Sequence, residues 1–207
     1  MLEPEGVATK GTLYVLHGYG QLAQYFIRKF QAVADHGWRI VAPEGAHRFY
    51  LEGYSGRVGA SWMTKEDRLA DIADYLRFLD LLRKGRETTD GSLPHVLLGF
   101  SQGVATAFRW MAMGEGGPGS WHGIVAHSGI IPPDLPQDEG LLEDAPALHL
   151  IGGLEDAFIT SLEDGFSTSE QEWQRCGGQP HQTLRLTFNG GHDIHAASVI
   201  QALGHIG

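Results

Sequence analysis

Gly99-Phe100-Ser101-Gln102-Gly103 is preceded by the apolar run Val96-Leu97-Leu98 and followed by Val104-Ala105-Thr106-Ala107-Phe108, a run that reads as helix. The order is strand, sharp turn, helix, with a serine at the apex and a glycine two residues to either side. This is the pattern of a nucleophile elbow. Backbone in such a turn is strained and closely packed, so a side chain at 99 or 103 would collide with the adjacent strand or helix. Glycine supplies 29 of the 207 residues, which raises the frequency of chance matches. The motif therefore needs partners elsewhere in the chain before it carries a chemical reading.

Working outward, Thr12 to Leu16 reads as a buried strand. Residues 22–35 read as a helix with Leu22, Phe26, Phe30 and Val33 at helical spacing, and Arg39 to Ala42 as a second strand. Thr64-Lys65-Glu66-Asp67 has the form of a capping box, opening a helix with Leu69, Ile72, Leu76, Leu79 and Leu82 on one face. Strands at 95–99, 123–126, 147–151 and 183–188 follow, with helices after Ser101, at 167–176 and at 195–204. Alternation of this kind predicts an α/β fold with a mostly parallel, doubly wound sheet flanked by helices. The length suits one domain over residues 1–207. In such sheets ligands bind at the carboxyl ends of the strands.

Composition narrows the partners. Hydrophobic residues make up 42% and charged residues 19%, with a formal charge of -10. That balance repels nucleic acid over most of the surface, and no basic cluster reverses it. No apolar stretch is long enough to span a bilayer, and the acidic start Met1-Leu2-Glu3-Pro4-Glu5-Gly6 is no signal peptide. One cysteine, Cys176, allows no internal disulfide and suits a reducing compartment, so a cytoplasmic location is expected.

A serine hydroxyl needs a base within hydrogen-bond reach, and the base needs an acid to fix its tautomer. On this type of sheet the chain order is Ser, then Asp or Glu, then His. The strand 147–151 ends in Gly152-Gly153-Leu154-Glu155-Asp156, which offers Asp156 as the acid and Glu155 as its rival. The strand 183–188 ends in Asn189-Gly190-Gly191-His192-Asp193, which offers His192 as the base. An oxyanion hole requires backbone donors. The turn Leu16-His17-Gly18-Tyr19-Gly20 can supply the Tyr19 amide, and the start of the helix after Ser101 the Gln102 amide, with His17 shaping the loop. His192 and His195 form a His-x-x-His pair, but no third ligand at a recognisable spacing supports a metal.

Leu16 to Gly20, Gly99 to Gly103, Gly153 to Asp156 and Gly191-His192 together resemble the phospholipase/carboxylesterase family of α/β-hydrolases, which includes small bacterial carboxylesterases and acyl-protein thioesterases. The resemblance covers most of the chain in the right order. It implies an α/β-hydrolase fold without a separate cap domain, no cofactor, and a small ester, thioester or lysophospholipid substrate. It also implies that Ser101 is nucleophile, Asp156 orienting acid and His192 base, with Tyr19 and Gln102 giving the oxyanion amides. The chain departs from the family at Gln21, where Asp is usual, at Trp62-Met63-Thr64, where a Trp-aromatic-Asp segment is common, and at Gly152-Gly153, where His-Gly is usual. The short run before Leu16 leaves little room for the family's first strands.

The segment from Pro43 to Trp62 leaves a strand end and should overhang the site. Tyr54 and Trp62 are candidate pocket walls, and Arg57 or Arg48 a candidate partner for a substrate carboxylate or phosphate. The alternative is that the rings pack on the sheet edge and the arginines are solvated or paired. Ser128 also follows a strand but lacks the preceding elbow glycine, and reads as structural. Two other functions compete. Gly18-Tyr19-Gly20-Gln21-Leu22-Ala23, with Glu44 downstream and Tyr25 and Lys29 between, imitates a dinucleotide-binding oxidoreductase. A hydrolase fold that binds ligands without turnover is the other.

Overall fold

The computed structural model describes residues 1–136, 140–159 and 161–206. Six strands form one sheet: β1 (Gly11–Leu16), β2 (Trp38–Val41), β5 (His95–Phe100), β6 (Gly123–His127), β7 (Leu148–Gly153) and β8 (Thr183–Phe188). Their order is β2-β1-β5-β6-β7-β8 and every ladder is parallel. The expected strands are all present, with ends shifted by one or two residues.

The chain passes from β1 to β2 at one edge, then returns to the other side of β1 to lay down β5. The winding direction reverses between β1 and β5, and that reversal opens a crevice above their carboxyl ends. The ladder pairs Leu16 with Gly99, so the residues after β1 and those after β5 emerge side by side.

Alternate residues of the central strands feed two cores. Tyr14, Leu16, Leu97, Ile124, Ala126, Leu148 and Leu150 face one core, shared with α3 (Arg68–Asp90), α4 (Gln102–Met113) and α5 (Leu162–Arg175). Leu13, Val15, Val96, Leu98, Phe100, Val125 and Ile151 face the other, with α1 (Ala23–Phe26), α2 (Gln31–Asp35) and α6 (Ala196–Leu203). Burial on both faces explains why β1, β5 and β7 read as unbroken rather than alternating apolar runs.

Four local expectations are corrected. The helix read over 22–35 is three short pieces, with a 3₁₀ turn at Ile27–Phe30 between α1 and α2. The capping box at Thr64 does not form. The Thr64 hydroxyl accepts from Glu66 N–H, Asp71 accepts from Thr64 N–H, and α3 opens only at Arg68. Leu69 is exposed, and Tyr75 takes its place beside Ile72 and Leu79 in the core. The helix read over 167–176 starts earlier, at Leu162, capped by the Ser161 hydroxyl accepting from Asp164 N–H.

The segment expected as a loop between Pro43 and Trp62 is largely a hairpin. Strands β3 (His47–Tyr50) and β4 (Val58–Ser61) pair antiparallel in a separate two-stranded sheet. It joins the main fold through Gln21, which bridges to Ala60, and through Gly20 N–H, which donates to Ala60 O. Near the start of the chain, Leu2 forms a single antiparallel bridge with Ile40 of β2.

The crowding at the elbow is severe. A Cβ on Gly103 would lie 2.1 Å from the Leu16 carbonyl oxygen, a backbone atom of the neighbouring strand's end. Gly103→Ala should lower the unfolding free energy by at least about 2 kcal/mol, because the β1 end or α4 must move. Gly85, inside α3, has no atom within 4 Å of its added Cβ, and Gly85→Ala should raise stability by roughly 0.5–1 kcal/mol. Urea unfolding of both variants checks the contrast; equal effects would contradict it.

Candidate active site at the strand ends

Ser101 sits at the junction of β5 and α4 with φ 52° and ψ -118°. A non-glycine residue at positive φ costs on the order of 1–3 kcal/mol and persists only where its surroundings enforce it. Here Ser101 N–H donates to His127 O, continuing the sheet by one residue, while Ser101 O accepts from Val104 N–H in the first turn of α4. The serine is thereby lifted out of both elements at their junction.

Asp156 follows β7 and is buried, with its side chain 1% exposed. Both of its carboxylate oxygens face His192 Nδ1, Oδ2 at 2.8 Å and Oδ1 at 3.0 Å, and Phe158 N–H donates to Oδ1 at 3.0 Å. An acceptor-only carboxylate assigns the imidazole proton to Nδ1 and leaves the lone pair on Nε2. Glu155, the rival acid, is exposed. Its main chain serves instead, with Glu155 N–H donating to Gly190 O and so joining the turn after β7 to the loop after β8.

The His192 ring lies between two aromatic rings, Phe100 at 4.8 Å and Phe158 at 4.5 Å between centroids. Phe100 is the residue before Ser101, so the imidazole packs on the elbow itself. Phe158 escaped the sequence reading, since an isolated exposed Phe in a polar turn carries no pattern. The loop bearing His192 is tied down on both sides. Lys29 pairs with Asp193 at 2.6 Å, and His195 N–H donates to His127 Nε2.

Across the β1–β5 crevice, Gly18 packs against the serine: a Cβ there would lie 3.1 Å from Ser101 Cβ. In this turn Gly18 N–H donates to Gln21 Oε1, Gly20 N–H to Ala60 O and Gln21 N–H to Gly18 O. The N–H of Tyr19, between them, has no acceptor among the described residues, and neither has that of Gln102. Two free donors thus flank the serine. Gln21, the departure from the usual Asp, makes a positioning bond that the sequence reading did not foresee.

Side chains also support this turn. His17 is buried, donates from Nδ1 to Gly18 O at 2.8 Å and accepts from Gly45 N–H at Nε2. Burial holds its pKa below the ordinary imidazole value. The Gln102 side chain reaches the segment after β4, accepting from Trp62 N–H and donating to Ser61 Oγ and Met63 O.

The three substrate-contact candidates separate. Trp62 is not a pocket wall: it is 1% exposed, stacks on His17 at 5.0 Å and donates from Nε1 to His17 O, bracing the turn from inside. Tyr54 is 97% exposed in the connection between β3 and β4, where no other element meets it. Arg57 lines a cavity of about 630 Å³ beside the turn, with Gly20, Gln21, Leu22, Tyr25, Phe26, Lys29 and Leu51.

The decoys are accounted for as well. The Glu44 carboxylate accepts from Ala23 N–H at the start of α1 and pairs with Arg48, so the would-be ribose ligand is a helix cap. Lys29 is held by Asp193 rather than paired with Tyr25. His195 caps α6 through Ser198, and among the described residues no three metal-ligating side chains gather.

No protein-family model matches the sequence, and no curated protein matches it. The structure does have likenesses among solved proteins. Esterase PE8 superposes with a TM-score of 0.72 at 25% identity, covering 99% of this chain and 96% of that one. A carboxylesterase from Mesorhizobium loti gives 0.71 at 18% identity, covering 97% and 91%. Acyl-protein thioesterase 2 from Zea mays gives 0.69 at 20% identity, covering 98% and 96%. The chain has the α/β-hydrolase fold. Among proteins of that fold, its structural neighbours match the phospholipase/carboxylesterase group.

Two buried imidazoles near the sheet give the fold a pH dependence. Burial lowers the His127 pKa to about 3 and that of His149 to about 4. Each is neutral when folded and binds a proton more readily unfolded. Their contribution is complete above the unfolded value near 6.5 and is lost as pH falls toward about 4 and then 3. Between pH 6.5 and 5 the unfolding free energy should fall by up to about 1.4 kcal/mol per pH unit for each imidazole. Urea titrations at several pH values should show this slope, and His127→Gln should flatten it; an unchanged slope in the variant would contradict the assignment.

Proposed function

We propose that the protein is a serine hydrolase of carboxylic esters that works through Ser101, His192 and Asp156 as a triad. The reading rests on the 2.8 Å His192–Asp156 pair packed, through Phe100, on the turn that carries a strained Ser101. Esterase and thioesterase neighbours support the same reaction class.

In this mechanism Ser101 Oγ attacks the ester carbonyl carbon while His192 Nε2 takes the hydroxyl proton. The carbonyl oxygen becomes an oxyanion, held by the free N–H groups of Tyr19 and Gln102. Asp156 stabilises the imidazolium through Nδ1 without taking its proton. The tetrahedral intermediate collapses, the C–O bond to the alcohol breaks, and His192 returns the proton to the departing oxygen. Water then attacks the acyl-enzyme by the same route, releasing the carboxylic acid and restoring the serine. The substrate is a small ester; thioesters and lysophospholipids fit the same chemistry.

We further propose that residues 1–207 act as one domain in the cytoplasm. Cys176 is a free buried thiol, in keeping with a reducing compartment. Among the described residues no helix is long and apolar enough to cross a membrane.

A fluorophosphonate probe should label the wild type and leave Ser101→Ala unlabelled, with p-nitrophenyl ester turnover lost in Ser101→Ala and His192→Ala. Asp156→Asn should lose about four orders of magnitude in kcat. Glu155→Gln should stay within a few-fold of wild type. Ester turnover without Ser101-dependent labelling would sink the triad. A stable fold that binds esters without labelling would favour the non-catalytic reading. A greater loss in Glu155→Gln than in Asp156→Asn would reassign the acid. Running p-nitrophenyl and thioester acyl chains of two to sixteen carbons (a range of roughly that span) ranks the substrate types.

A further inference from the structure

The cavity beside the oxyanion turn is lined by both apolar and cationic side chains. Leu22, just before α1, Phe26, at its end, and Leu51, after β3, supply carbon surface. Two cations line it, Lys29 and Arg57. They differ in their pairing. Lys29 is neutralised by both oxygens of Asp193, at 2.6 and 2.9 Å. Arg57 has no ion-pair or hydrogen-bond partner for its guanidinium among the described residues. The other arginine of the hairpin, Arg48, is paired with Glu44, so the two are not equivalent. The remaining titratable group of the lining is Tyr25, which already stacks with Arg28. The lining therefore carries one uncompensated positive charge, in a protein whose formal charge is -10.

The cavity's place matters as much as its charge. Its lining includes Gly20, next to the free Tyr19 N–H, and Lys29, whose partner Asp193 follows His192. It thus adjoins the site on the side of the turn that carries Tyr19.

We propose that Arg57 selects esters that carry a second, anionic group, its guanidinium receiving the carboxylate or phosphate while Leu22, Phe26 and Leu51 receive the intervening carbon chain. A guanidinium presents planar paired donors that match either anion, and charged hydrogen bonds are about twice as strong as neutral ones. This deepens the ester-hydrolase reading and rests on it for the identity of the reacting bond. The anion site itself does not depend on turnover.

The test separates the two. Binding of mono-p-nitrophenyl glutarate and of neutral p-nitrophenyl butyrate is measured by calorimetry on Ser101→Ala, with and without Arg57→Gln and Arg57→Lys. The glutarate ester should bind more tightly than the butyrate. Arg57→Gln should weaken the glutarate about tenfold and leave the butyrate unchanged. Arg57→Lys should restore part of the difference, and raising the salt should erase much of it. An acetate ester of 4-hydroxybenzoate places the charge on the alcohol side, and an acetate ester of 4-hydroxyphenyl phosphate asks whether phosphate is preferred. Equal effects of Arg57→Gln on charged and neutral esters in every arm would overturn the proposal, even in an enzyme that labels at Ser101 and hydrolyses butyrate. Conversely, Arg57-dependent glutarate binding in a protein that never labels would keep the anion site and discard the hydrolase.

Discussion

Pairing of β1 with β5 is the interaction on which the site depends. It is the point where the sheet reverses its winding, and its register puts Leu16 opposite Gly99. Everything the site requires from two distant stretches of chain, the turn at 17–20 and the elbow at 99–103, follows from that one ladder. The contact is tight enough that α4 starts directly against the end of β1, with Gly103 beneath the Leu16 carbonyl. A strand order without the reversal would separate the two turns by a strand's width, about 4.8 Å for each intervening strand. The free amides of Tyr19 and Gln102 would then no longer flank one serine.

Strain at Ser101 is sustained by the same neighbours. A ladder bond from its N–H to His127 and a helix bond to its carbonyl fix the residue from both sides. The Gln102 side chain extends that fixation outward, clasping the chain between β4 and α3 through Ser61, Trp62 and Met63. Trp62 in turn braces His17 and the turn after β1. Elbow, hairpin and the turn after β1 therefore form a closed loop of contacts, and none can shift without disturbing the other two.

The residues that were legible in the sequence are those set by backbone demands. Gly99 and Gly103 mark the elbow, Gly152-Gly153 and Gly190-Gly191 mark the turns that deliver Asp156 and His192, and continuous apolar runs mark strands buried on both faces. What escaped is fixed by long-range contact. Strand β3, His47-Arg48-Phe49-Tyr50, is polar and short, and is a strand only because β4 lies beside it. The break at Ile27–Phe30 leaves no trace in a pattern whose apolar spacing suits a continuous helix. The place of Trp62 in a long connection predicts a pocket wall, but the buried indole N–H finds its acceptor inward, at His17 O. Gln21, where the resemblance predicts Asp, accepts from Gly18 N–H through its side-chain oxygen, a bond no local pattern marks.

The proposal of His192 as the base rests on hydrogen-bond donors rather than on proximity alone. Ser128 is a second serine at a strand end with positive φ, 51°, and it too has a histidine partner, His127, at 3.2 Å. That pair cannot do the chemistry. His127 Nε2 accepts from His195 N–H, so the ring proton resides on Nδ1 and is donated to the Ser128 hydroxyl. A ring that gives a hydrogen bond to the serine has no lone pair there to receive its proton, and burial opposes a second proton on the ring. His17 is likewise engaged at both nitrogens. His192 has the opposite polarity: Asp156 holds its proton on Nδ1, and Nε2 has no partner among the described residues. With a side chain 18% exposed against the fully buried His127, it is also the ring that a substrate can approach. Both rings thus carry their proton on Nδ1, but His127 turns it toward Ser128 while His192 turns it toward Asp156 and leaves Nε2 open.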